Sequence, residues 1–148
     1  DRPLSKVGGK GDVDLIAEQI RIGLGEPLGY SQSDITFEGL GIEYRLIAED
    51  PDKNFTPWVG RIERFGWKEQ PWLTMLTHVP TTEPYEIPTE FDPNLALAII
   101  WGKDLEEAKA RGLEFLRDLR LEGHNTAGEE LKSNVNFLAA NTERILRF

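Results

Sequence analysis

Along residues 41–51, apolar and polar positions alternate: Ile42, Tyr44, Leu46 and Ala48 against Glu43, Arg45, Ile47 and Glu49. A period of two marks a strand with one buried face, and Pro51, which has no N–H to give to a ladder, ends it. Upstream the period changes. Val13, Ile16, Ile20 and Leu24 recur at helical spacing, with Asp12 expected as the N-cap and Gly25 and Pro27 as the stop. Short strands are expected at 35–37, 61–65, 72–79 and 85–87, the last confined to an edge or loop by Pro80, Pro84 and Pro88. Turns are expected at 31–34 and 50–54. Residues 95–101 form an unbroken apolar run closed by Gly102, which suits a strand buried on both faces. Asp104 should then cap an amphipathic helix over 105–119, with Leu105, Ala108, Leu116 and Leu119 facing inward. A short strand at 119–121 and a last helix from Ser133 or Asn134, carrying Val135, Leu138, Ile145 and Leu146, complete the series. Residues 1–11 are rich in Gly and Lys and read as a flexible lead-in. The sum is one α+β unit built mainly on antiparallel strands.

Composition narrows the function classes. The chain has 148 residues, 17 basic against 26 acidic, for a net charge of −9, which argues against a general binder of nucleic-acid backbones. No apolar stretch is long enough to cross a membrane. The absence of cysteine excludes disulfides, thiolate nucleophiles and Cys-ligated metals. His78 and His124 stand at ligand spacing with no other histidine or carboxylate, so no metal site is expected. Gly8-Gly9-Lys10-Gly11 lacks the spacing and the following Ser or Thr of a phosphate loop. Trp58, Trp67, Trp72 and Trp101 read as packing residues before stacking platforms. The chain opens Asp1-Arg2-Pro3 with neither an initiator Met nor a signal-peptide core, and is expected to be a piece of a longer polypeptide. One residue suggests chemistry. Arg45, between two glutamates on the open face of its strand, is placed to meet an anion with a fork that does not deprotonate. The competing reading is a surface ion-pair strip.

The wording of that strand, Ile42-Glu43, Arg45 and Ala48-Glu49-Asp50-Pro51, closely resembles the one that opens the C-terminal domain of biotin carboxylases. The resemblance continues in order through Asn54-Phe55, Pro57, Gly60-Arg61-Ile62, Thr77-His78-Val79, Phe91-Asp92, Ile99-Ile100-Trp101-Gly102, Glu107-Ala108, Ala110-Arg111 and Lys132-Ser133-Asn134. Upstream, residues 13–28 are similar to the helix that joins the ATP-grasp portion to this domain. It therefore implies a barrel-sandwich-like α+β domain over 12–148, with a linking helix at 12–27 and the sheet with two C-terminal helices at 35–148.

The implied function is part of a ligase: ATP- and bicarbonate-dependent carboxylation of biotin in a biotin-dependent carboxylase, of which the acetyl-CoA and other acyl-CoA carboxylases are examples. Arg45 is implied to stabilise the biotin enolate, with Glu43 orienting it and Asp92 beside the mouth of the site. Biotin would arrive on a carrier domain or another subunit, because the only methionine, Met75, is not in a biotinylation sequence. ATP and Mg would belong to the ATP-grasp portion. The implied partners are that portion, the carrier and a carboxyltransferase, with no nucleic acid and no membrane, in the cytoplasm. The fragment alone is expected to be inactive, and the final acceptor stays open among acyl-CoAs, pyruvate and urea. Departures from the family pattern include Leu97 for a lysine, Pro93-Asn94 for Ser-Met, Ile47 for an asparagine, residues 66–71 and Thr74 in place of a glycine-rich loop with a dimer-face arginine, and an insertion at 124–131. They leave a second reading, a non-catalytic regulatory or assembly module on the same scaffold.

Overall fold

A computed structural model describes residues 5–7, 10–88 and 93–145. In chain order the elements are β1 Ser5–Val7, β2 Lys10–Asp12, α1 Leu15–Gly23, β3 Ile35–Phe37, β4 Leu40–Ile47, β5 Glu49–Asp50, β6 Thr56–Pro57, β7 Arg61–Gly66, β8 Leu73–Thr77, β9 Tyr85–Glu86, β10 Asn94–Gly102, α2 Leu105–Asp118, β11 Arg120–His124 and α3 Val135–Thr142. Among the described residues the strands form four small sheets, ordered β2-β1-β3, β4-β10-β8, β11-β7-β9 and β5-β6. All pairings are antiparallel. This is an α+β fold, as the periodicities predict.

The alternation in β4 places Ile42, Tyr44, Leu46 and Ala48 in the core and leaves Glu43 and Arg45 exposed. β10 lies between β4 and β8, and three consecutive residues, Ala98, Ile99 and Ile100, are buried there. Neighbours in a strand point to opposite faces, so Ala98 and Ile100 face the core while Ile99 is buried on the other face, where Leu97 is only half-buried. On one face, register aligns Tyr44 with Ala98 and Met75, and Ile42 with Ile100 and Leu73. Helices α2 and α3 close this face. The Thr142 hydroxyl donates to Leu138 O at 2.8 Å, so the Tyr44 hydroxyl is the donor in its 3.0 Å bond to Thr142. Burial pushes the Tyr44 phenol above its ordinary pKa and keeps it a donor.

Gly112 of α2 lies against Tyr44. A Cβ at Gly112 would meet the Tyr44 hydroxyl and come within 2.8 Å of two carbons of its ring. Gly→Ala in a helix normally gains about 0.8–1.0 kcal/mol. Overpacking a closed layer costs about 1–3 kcal/mol, and Tyr44 is 2% exposed and tied to Thr142, so it cannot swing away. Gly112→Ala is therefore expected to lower stability by up to about 2 kcal/mol, measured by urea unfolding of the chain. A stability gain would show that the ring can move.

α2 starts where expected. Asp104 accepts from Glu107 N at 2.8 Å, and Glu107 accepts from Lys103 N at 2.7 Å. Arg111 ties the helix to the sheet, donating to Trp101 O at 2.8 Å with its guanidinium 5.6 and 5.5 Å from the Trp72 and Trp101 ring centres. Trp58 is buried in the core, and Trp67 lies 5.4 Å from Phe65, so all four tryptophans serve packing. Buried Lys109 donates to Glu143 O at 3.1 Å, just past the end of α3, where carbonyls lack helical partners and favour a cation.

The N-terminal region differs from expectation in three ways. Residues 5–7 and 10–12 are strands rather than a loop throughout, 5–7 pairing with both β3 and 10–12. The helix therefore starts later, and Asp14, not Asp12, is its N-cap, accepting from Ala17 N at 3.0 Å. Its end is a Schellman turn: Glu26 N donates to Arg21 O and Gly25 N to Ile22 O, with Gly25 at φ 83°. Finally, the apolar face of α1 finds no cover among the described residues, since Ile16, Ile20 and Leu24 are all 60% or more exposed. At the other end, Val135, Leu138 and Ile145 pack against the core as expected, while Leu146 lies outside the described residues. The insertion at 124–131 closes on itself, with Leu131 N donating to Gly123 O at 2.9 Å and Gly128 N to Asn125 O at 3.0 Å.

Candidate functional site

The open face of β4 carries Glu43 and Arg45. Arg45 Nε donates to Glu43 Oε1 at 2.9 Å, and the Arg45 side chain is 70% exposed. Such a pair contributes little to stability, about 0.2–1 kcal/mol. It does bias the guanidinium toward one rotamer on a strand whose other face is locked into the core. Register sets Leu97 opposite Arg45 and Leu76 opposite Leu97, so these three share a row, and Glu43, Ile99 and Thr74 share the next. The surface is thus a fixed cation and its carboxylate beside an apolar strip, with Leu97 where the resemblance expects a lysine.

The backbone around Arg45 is held from the outer edge of β4. The Asn134 side chain bonds both Arg45 O and Ile47 N, at 2.9 and 3.0 Å. Just beyond, Asp50 is buried and accepts from Asp52 N at 3.0 Å, which starts a single turn of 3-10 helix, Pro51–Lys53. Asn54 and Phe55 follow with φ of 54° and 56°. This conformation is costly for a bulky side chain. Phe55 is braced edge-on by Phe137 of α3, ring centres 5.0 Å apart.

Arg45 is paired with Glu43. Burial pushes the Glu49 carboxyl above its ordinary range. Asp92 lies outside the described residues. His78 is stacked edge-on against Tyr85 at 5.7 Å, and His124 stands 3.9 Å from Glu63. Among the described residues, no group of three or more His, Cys, Asp or Glu could hold a metal ion. A groove of about 540 Å³ lies elsewhere, lined by residues 66–68 and 117–120. It shares no residue with the Arg45 face, and its Arg117 is paired with Asp118 at 2.9 Å.

The contribution of Asn134 is not visible in the sequence. An asparagine just before a helix reads as that helix's own cap, and its contact with β4 crosses 87 positions of chain.

Comparison with known proteins agrees with this geometry. The family described as Biotin carboxylase C-terminal domain matches residues 43–144. The chloroplastic biotin carboxylase of Arabidopsis thaliana is 40% identical over 111 residues, covering 75% of this chain and 20% of the relative. The biotin carboxylase of Nostoc sp. is 36% identical over 132 residues, 87% of this chain and 29% of the relative. Among solved structures, the biotin carboxylase domain of Hydrogenobacter thermophilus 2-oxoglutarate carboxylase, in complex with MgADP, ADP and bicarbonate, superposes with a TM-score of 0.76 at 34% identity, covering 88% of this chain and 27% of that one. The chain thus spans less than a third of the length of these relatives. With a family match that runs from β4 to the end of α3, this chain belongs to the biotin carboxylase C-terminal domain family.

Proposed function

We propose that this chain forms one wall of a biotin carboxylase active site, in a longer protein that carboxylates biotin with ATP and bicarbonate. The observation that carries the reading is Arg45, an always-charged fork on a rigid strand within the matched family segment, open to a ligand and held by Glu43. Its donors suit the ureido oxygen of biotin, the substrate of this half-reaction, when negative charge develops there. Glu43 aims the fork, and the family resemblance adds Asp92 as a substrate-binding residue of the same site. The uncovered apolar face of α1 supports docking of the helix on the ATP-grasp portion, which would supply the ATP and Mg sites. The domain division proposed is a lead-in to residue 11, the linking helix to 27, and the sheet with its helices from 35. The carrier that brings biotin and the carboxyltransferase that takes the carboxyl group are partners under the same reading, and the compartment is cytoplasmic. No described helix is long and apolar enough to cross a membrane.

A second reading, a regulatory or assembly module, draws on the row from Arg45 through Leu97 to Leu76, which is apolar beyond its first residue. One assay separates the two. The full-length protein is expected to cleave ATP with dependence on both bicarbonate and free biotin, and the 148-residue chain alone to cleave none. ATP cleavage by the isolated chain would remove the proposal. A full-length protein that binds its partner subunits but lacks biotin-dependent turnover would establish the second reading.

A further inference from the structure

An asparagine at the first turn of a helix usually folds its side chain onto the helix's own free N–H groups. Asn134, at the head of α3, makes no such bond. Its Nδ2 donates to Arg45 O at 2.9 Å, its Oδ1 accepts from Ile47 N at 3.0 Å, and its main-chain N–H donates to Ile47 O at 3.1 Å. One residue thus serves as a short surrogate strand. Among the described residues β4 is an edge strand with only β10 beside it, and these three backbone groups point outward, away from β10. Asn134 is 5% exposed, so water cannot readily take its place. One helical turn further along α3, Phe137 braces Phe55 in the strained turn beyond β5. The same face of α3 therefore holds both the strand and the turn that follows it.

The Arg45 side chain is largely in solvent, with an exposed ion pair to Glu43, so the location of its guanidinium depends on the backbone that carries it. We infer that Asn134 is a positioning residue for Arg45, coupling the head of α3 to the placement of the fork. This rests on the proposed role of Arg45. A displacement of about 1 Å at a reacting centre can cost about 100-fold in rate, although the displaced group remains present.

The test is a double-mutant cycle in the full-length protein, assayed with ATP, bicarbonate and free biotin. Asn134→Ala is expected to lower biotin-dependent kcat by about 10- to 100-fold with KM for ATP unchanged. Added to Arg45→Ala, it should cause no further loss, because a residue that acts only through Arg45 has nothing left to position. Additive losses, or wild-type turnover by Asn134→Ala, would overturn the inference. If the alanine variant fails to fold, the cycle is run with Asn134→Asp, which keeps the volume and the acceptor for Ile47 N but has no donor for Arg45 O. A measurement on the wild-type protein stands apart from any variant. The Ile47 amide should exchange with solvent as slowly as ladder amides of β10, and fast exchange would also overturn the inference. Wild-type turnover by Arg45→Ala would instead remove the role of Arg45 itself, and the positioning role with it.

Discussion

Arg45→Ala in the full-length protein is expected to lower biotin-dependent turnover by about 10²–10³-fold, while nucleotide binding is preserved. That range corresponds to about 2.7–4 kcal/mol, the usual effect of removing one preorganised donor from charge that develops only in the transition state. The structure gives the prediction its asymmetry. Arg45 contributes almost nothing to the fold, being exposed and paired only with Glu43 among the described contacts. A loss of activity in this variant therefore would not report unfolding, and an unchanged melting temperature should accompany it. Glu43→Ala sets the contrast. An exposed ion pair contributes about 0.2–1 kcal/mol, so losing the aim of the fork while keeping the fork should cost no more than about fivefold. Arg45→Lys retains charge but not the planar, two-pronged donor set, and belongs nearer to alanine than to wild type. Comparable losses for Glu43→Ala and Arg45→Ala would shift the chemistry from the cation to the carboxylate.

The largest expected effect on stability lies on the opposite face of the same sheet. Ile100→Ala should destabilise the chain by about 2–5 kcal/mol, measured by chemical denaturation. Ile100 is 0% exposed, on β10, the middle strand of its sheet, with Ile42 and Leu73 directly across the ladder on either side. Neighbours fixed in two strands relax poorly into a cavity, which places the cost toward the upper part of the range. An exposed apolar residue such as Leu76, on the Arg45 face, should tolerate the same truncation with about 0.5 kcal/mol or less. Equal losses at Ile100 and Leu76 would mean that the open face is covered in the folded protein.

What was legible in the sequence followed from local periods. The alternation of β4, the apolar run of β10 and the capped helix α2 each carry their burial pattern in consecutive residues, so the core and the exposure of Arg45 could be read directly. What was hidden depends on partners far along the chain. Lys109 reads as an outward lysine of an amphipathic helix, yet it is buried because the end of α3 supplies a carbonyl to its ammonium. Asp12 reads as the cap of α1, but β1 pairs residues 10–12 as a strand, and Asp14 takes the capping position. Asn134 is the sharpest case. Local chemistry assigns its side chain to its own helix, and the competing acceptor and donor lie on β4. The family resemblance marked Arg45 and located Asn134 in a motif, but only the fold joins them.

The hairpin at 124–131 bears on how this domain can change over evolutionary time. It lies between β11 and the head of α3, and its base is latched by the Leu131–Gly123 bond. The chain thus enters the loop and leaves it at neighbouring points, whatever happens at the tip. Residues can be added or lost there without tugging on Asn134, three positions downstream of the latch. Length variation is thereby decoupled from the placement of Asn134, making the loop a natural location for lineage-specific extensions or a grafted reporter.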